Sequence, residues 1–185
     1  MKQTILAVLL LTLAPALAHA GVLDGLNKSG GGDLGSKIEG KAREKARAKG
    51  NEKVAAQVNK KLLAEARKNQ CSFKSGTDEL APGCGSKSRK LAKVIIDVKK
   101  KLQSEGQTGF KFVVSGHTDS SGNAAKNKEL SLRRAQVMVK ELVANGVEQG
   151  DIEAVGMGSE QMLVKPDNTP AKKAKNRRYE VQVRF

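Results

Sequence analysis

Residues 116–135 read GHTDSSGNAAKNKELSLRRA, and the parsing of this stretch governs that of its neighbours. Phe110, Phe112 and Val114 alternate ahead of it, which predicts a strand that stops at Gly116. His117, Thr118 and Asp119 then occupy a polar turn. Ser131 reads as the N-cap of the next helix, with Leu132, Arg133 and Arg134 in its first turn. Two cations at that end oppose the helix macrodipole, which favours carboxylates there. The pair therefore points to an anionic ligand or a carboxylate partner, with Asp119 as the local candidate. Two solvated arginines on a helix surface would show the same charge pattern.

Working outward, the chain alternates helical and strand patterns. Leu91, Val94, Ile95, Val98 and Leu102 fall on one helical face, with Ser86 or Ser88 as the cap and Gly106 at the end. Ala135, Met138, Val139, Leu142 and Val143 form a second stripe, closed by Asn145-Gly146. Ile152 to Val155 reads as a short strand ended by Gly156-Met157-Gly158. Tyr179, Val181, Val183 and Phe185 alternate with polar residues in a last one. The fold class expected is α+β: a β-α-β-α-β-β mixed sheet with its helices packed on one face, over residues 70–185.

The other end of the chain suggests export. Residues 1–20 combine Lys2, an apolar run from Ile5 to Leu13 and Ala18-His19-Ala20, the pattern of a cleaved signal peptide too short to span a membrane. No Cys follows at the cut to carry a lipid anchor. Cys71 and Cys84 are the only cysteines, and an even count in an exported chain predicts a structural disulfide. Two cysteines and His117 are too few soft ligands for a zinc site. Residues 21–36, with Gly30-Gly31-Gly32, read as a flexible linker.

The formal charge is +15, and removal of residues 1–20 takes away only Lys2, leaving +14. Residues 37–68 hold 11 Lys or Arg against 4 Glu, half of that excess. Such a segment suits an anionic membrane surface, an acidic wall polymer or another envelope protein, although a solvated helix face has the same composition. Nucleic acid is excluded as a partner by export and by an aromatic content of 3%, too low for a base-stacking platform. Within residues 37–69, Val54, Val58 and Leu62 recur every fourth residue. They predict a helix from about Asn51 to Lys68 that packs weakly or only on binding; residues 37–68 are expected to add salt-sensitive avidity for the anionic envelope and to be dispensable for the specific pocket.

GHTDSSG, then N-x-x-LS-x-x-RA, then G-x-G, and finally NRR before a terminal strand together resemble the OmpA-like peptidoglycan-binding domain. The resemblance is close from Phe110 to Phe185 and reaches back weakly to Cys71 through Phe73 and Leu80. It implies non-covalent binding to the diaminopimelate of peptidoglycan stem peptides, with Asp119 taking the ammonium and Arg134 the carboxylate. Fourteen residues separate them, as in the family. Thr118 and Asn127 align with polar residues lining the same pocket, and Arg177 with a flanking basic contact. Their chemistry agrees, since Arg is a planar fork for a carboxylate and Asp an acceptor for an ammonium. Lys74, Lys126 and Lys172-Lys173 depart from the family pattern, which has Asp, an aromatic and Gly-Arg at those places.

Catalysis fits poorly. Ser115, His117 and Asp119 match a triad by type, but alternate residues on one strand do not form a proton relay. No metal and no cofactor is implied. The expected function is peptidoglycan binding that tethers the protein to the wall of a Gram-negative envelope, in the periplasm or at the outer membrane. The alternative is charge-only binding to anionic envelope polymers, with the domain as scaffold.

Overall fold

The computed structural model describes residues 34–74 and 76–185, with side chains from residue 37. The expected signal peptide, and the expected linker up to residue 33, lie outside the described residues. The chain divides into two units, residues 1–41 and 42–185, and the core and the cleft belong to the second. Among the described residues four α-helices and three strands follow in order: α1 Leu34–Lys68, α2 Cys84–Ser104, β1 Lys111–His117, α3 Ala124–Ala144, β2 Ile152–Gly158, α4 Pro170–Asn176 and β3 Tyr179–Arg184. Among the described residues no helix is long and apolar enough to cross a membrane.

The sheet has the order β2-β1-β3, with β1 parallel to β2 and antiparallel to β3. A parallel pair needs a crossover, and α3 provides it. Phe112 sits opposite Ile152 and Val183, and Val114 opposite Ala154 and Val181. That face buries its apolar side chains with Leu91, Ile95 and Leu102 of α2 and with Ala135, Met138 and Leu142 of α3. The alternate positions Ser115 and Glu180 turn to the opposite face, as a period of two requires, and they too are buried.

The expected mixed α+β architecture is present, with an added short helix, α4, between β2 and β3 and four further differences in detail. The first strand is reduced to a single antiparallel bridge between Phe73 and Leu80, because the loop closed by Cys71 and Cys84 turns at Gly76 before more pairing can form. Helix α2 has no side-chain cap: Gly83 enters it with a left-handed backbone, and Ser88 is buried inside it, donating to Gly85 O. Ser131 is not an N-cap either. Helix α3 begins two turns earlier, capped by Asn123, whose side chain accepts from Ala125 N and Lys126 N. Arg133 and Arg134 therefore lie in the middle of a 21-residue helix, where the macrodipole effect is small.

The fourth difference is in α1. It begins at Leu34, inside the expected linker, and its last turns are part of the domain rather than a loosely packed arm. Leu62 and Ala66 are fully buried in the common core, with Val54, Ala55 and Val58 packed against it. Gln70, just past the helix, donates to Tyr179 O at 2.7 Å and accepts from Tyr179 N at 3.2 Å along the outer edge of β3. Edge strands left bare invite aggregation, and this one is covered.

Candidate functional site

The cleft opens where β1 ends. A bulge shifts the β1–β2 register between Gly116 and His117, after which Thr118 N donates to Gly158 O at 2.8 Å. Gly116 and Gly156 let α3 lie against the sheet here. A Cβ on Gly116 would meet Ser131 O at 2.1 Å, and one on Gly156 would meet Lys128 O at 2.4 Å. The backbone contact leaves Arg134 and the 118–123 loop facing one another across the carboxyl end of the parallel pair, the usual place for ligands in such sheets.

Several side chains hold that loop. Ser121 N donates to Asp119 Oδ1 at 3.0 Å, closing an Asx turn. Asn127 donates to Ser121 O at 2.8 Å from the first turn of α3, and Lys173 of α4 donates to Ser121 Oγ at 2.7 Å. Ser120 donates from both its backbone and its hydroxyl to Asp167. These bonds, with one from Asn176, hold the Asp167 carboxyl down to about 2. Asn176 is fully buried and also binds the 163–164 backbone, so the first residue of the NRR element anchors the loop that anchors Ser120.

Arg134 has a different frame. Its Nε donates to Thr77 O at 2.8 Å, and its guanidinium stands over the Phe73 ring at 5.1 Å, a cation–π arrangement. Both partners belong to the loop joined by the Cys71–Cys84 disulfide, which is formed. Arg134 is buried, and burial followed by the neighbouring Arg177 lowers its pKa, partly offset by Asp119 and Asp78. Lys74 pairs with Glu79 at 2.6 Å.

All five residues singled out in the sequence, Thr118, Asp119, Asn127, Arg134 and Arg177, line one cleft of about 470 Å³ with Phe73 and Leu130. Arg177 is more than a flanking group, because its Nη1 lies 2.7 Å from Asp119 Oδ2. Burial pushes the Asp119 carboxyl up, but the Arg177 and Ser121 hydrogen bonds outweigh it and the net shift is downward. Asp119 is thus a buried, ionised carboxylate. Thr118 Oγ1 is buried and has no partner among the described residues.

Ser115, His117 and Asp119 are not linked as a relay. Asp119 bonds to Arg177 and Ser121, while His117 Nε2 lies 3.3 Å from Ser115 Oγ and its Nδ1 has no partner. Burial and the nearby Arg178, opposed by Glu180, lower the His117 pKa to about 4, which leaves it a weak base. Among the described residues no group of three or more His, Cys, Asp or Glu is placed to hold a metal ion. Sequence reasoning missed Asp167, Asn176 and Thr77. The signal for Asn176 stood in the NRR element, whereas nothing in the sequence marks the carbonyl of Thr77.

The class defined by this geometry is an α+β domain with a polar cleft at the carboxyl end of its parallel strand pair, lined by the buried carboxylate of Asp119 and by the guanidinium groups of Arg134 and Arg177. A sequence profile of the OmpA family matches residues 73–177, more than half of the chain. The chain belongs to the OmpA family. It is 38% identical over 73 residues to the peptidoglycan-binding protein ArfA of Mycobacterium tuberculosis, covering 40% of this chain and 22% of that protein. Outer membrane porin F of Pseudomonas fluorescens is 47% identical over 70 residues, covering 38% and 21%. The chain spans about a fifth of the length of these curated relatives. Among solved structures, the C-terminal domain of Helicobacter pylori MotB superposes with a TM-score of 0.51 at 23% identity, covering 63% of this chain and 84% of that one, a likeness of fold.

Proposed function

We propose that the protein binds peptidoglycan non-covalently through the diaminopimelate of its stem peptide and so tethers itself to the cell wall of a Gram-negative envelope. The observation that carries this reading is the convergence of Asp119 and Arg134, both buried, on one cleft from a loop and a helix. An ionised carboxylate and a guanidinium lining one cleft complement the ammonium and carboxylate of an amino-acid centre. The family membership and the name of the mycobacterial relative support peptidoglycan as the polymer that carries it. In this reading Thr118 and Asn127 shape the pocket, and the cleft binds its ligand without chemistry on it.

Charge-only binding to anionic polymer has one observation in its favour: the Lys and Arg side chains of α1 between residues 37 and 49 are all exposed. Retention on purified peptidoglycan at rising salt separates the two. Screening should remove the contribution of exposed lysines, while binding through the buried pair should persist and be competed by free diaminopimelate. Complete release by salt, with no competition by diaminopimelate, would leave charge alone as the mechanism.

A further inference from the structure

Asp119 is already occupied. Arg177 Nη1 stands 2.7 Å from Oδ2, and Ser121 N is bonded to Oδ1. The Arg177 side chain is 46% exposed and that of Asp119 only 12%, so the guanidinium is the outer member of the pair. The backbone of Arg177 is fixed as the C-cap of α4, its N donating to Lys173 O at 3.0 Å, and the side chain can swing without moving it. Arg178 is neutralised separately by Glu180 at 2.8 Å. The cleft proper therefore holds one carboxylate, Asp119, and two guanidinium groups, Arg134 and Arg177.

Resting on the diaminopimelate reading, we propose that Arg177 is a specificity-determining residue, which occupies Asp119 in the free protein and exchanges that contact for the ligand's carboxylate when the ligand ammonium arrives. A plain amine that displaces Arg177 leaves three cations around a single carboxylate. A zwitterion brings the second carboxylate with it, and that group receives the released Arg177 together with Arg134. Like charges left uncompensated in a partly desolvated site are costly, so the exchange favours the zwitterion and rejects the simple amine. Thr118 Oγ1, buried and unpartnered at the same cleft, is an acceptor for an ammonium hydrogen that Arg177 leaves unused.

The test uses the full chain with two small diamine probes: diaminopimelate, and cadaverine, the shorter diamine left when both carboxyl groups of diaminopimelate are removed. Calorimetric titration at constant ionic strength should show wild type binding diaminopimelate in strong preference to cadaverine. Arg177→Gln should raise cadaverine affinity by about tenfold or more and narrow the preference, because no guanidinium now competes for Asp119. Unchanged cadaverine affinity in Arg177→Gln, with diaminopimelate still bound by wild type, overturns this inference alone. A wild-type chain indifferent to diaminopimelate removes the underlying reading and the inference with it. Independently of any variant, wild type crystallised with diaminopimelate should have the ligand ammonium on Asp119 Oδ2 and Arg177 on the ligand carboxylate. Arg177 found still bonded to Oδ2 in that complex would equally overturn the exchange.

Discussion

Asn59 of α1 accepts a hydrogen bond from Val183 N at 2.6 Å and donates one to Val183 O at 3.2 Å, so a helix side chain pairs with the outer edge of β3 as a neighbouring strand would. Gln70 repeats the arrangement at Tyr179. Between them Leu62 and Ala66 fill the core. A chain beginning at Asn69 should therefore lose both packing and edge cover. Emptying the Leu62 site alone costs about 2–5 kcal/mol, and each buried backbone group left unpaired about 1–3 kcal/mol. Denaturant unfolding and size-exclusion chromatography should show a lower midpoint and self-association, whereas a chain beginning at Gly50 should behave as the full protein. An unaltered midpoint for the shorter chain would show that α1 is dispensable.

Side-chain periodicity made β1, β3, α2 and the second half of α3 legible, because these elements bury apolar side chains at regular intervals. The first two turns of α3 were not legible for a physical reason. They pack by backbone, Lys128 against Gly156 and Gly158, and so need no apolar stripe; the pattern begins only near Ser131. Helix α1 was misjudged on similar grounds, since Asn59 and Gln70 attach it through amides that read as surface residues. The charged cleft residues were recognisable from their motif order, but the pairing of Arg177 with Asp119 depends on how the loop and α4 meet in space.

The same backbone contact makes a sharp test of the fold. Gly116→Ala would force a Cβ to within 2.1 Å of the Ser131 carbonyl oxygen, and Gly156→Ala to within 2.4 Å of the Lys128 carbonyl oxygen. Neither neighbour is a flexible side chain, so α3 must move off the sheet. Each variant should lose about 1–3 kcal/mol or more of stability by denaturant titration, and α3 would carry Arg134 out of position. Gly150→Ala, with open space around its Cβ, is the control. Equal stability of all three would show that α3 does not press on the sheet.

Reduction of the disulfide should affect both stability and the cleft. Cys71 and Cys84 enclose the loop that supplies Phe73 and Thr77 to Arg134. In the chain-entropy account a crosslink spanning 13 positions contributes about 3 kcal/mol. The Cys71→Ser, Cys84→Ser variant should unfold earlier and also bind peptidoglycan less tightly under conditions where it is folded. Full-strength binding by the folded, disulfide-free protein would mean that the loop does not support Arg134.

His117 sets a pH dependence of stability whose sign is fixed by its burial. Its pKa is about 4 in the fold against an ordinary 6.5, so above pH 6.5 neither state carries the proton. As the pH falls from 6.5 towards 4, the unfolded chain takes up a proton that the native state refuses, and stability declines. The decline amounts to at most about 3 kcal/mol, and it levels off once the native His117 also protonates. His117→Gln should flatten the unfolding free energy across that window, whatever its effect at pH 7. An identical slope in the variant would assign the acid sensitivity to other groups.

The proposed binding pair is tested by Asp119→Asn and Arg134→Lys, chosen to keep shape or charge while removing the specific contact. Asn can still close the turn to Ser121 N, but it no longer balances an ammonium. Lys retains a positive charge, yet it loses the planar fork that grips a carboxylate in two places and the Nε bond to Thr77 O. Truncating one side of a desolvated charge pair costs about 2–5 kcal/mol, enough to weaken peptidoglycan binding by well over tenfold. Arg133→Ala is the control on the neighbouring position. That side chain is 43% exposed and pairs with Glu129 at 2.6 Å along the helix, so its loss should bring only a small, salt-dependent change. Circular dichroism verifies that each variant is folded before binding is compared. Wild-type retention on the wall by both cleft variants would place binding in the bulk positive charge of the chain and leave the cleft without a role.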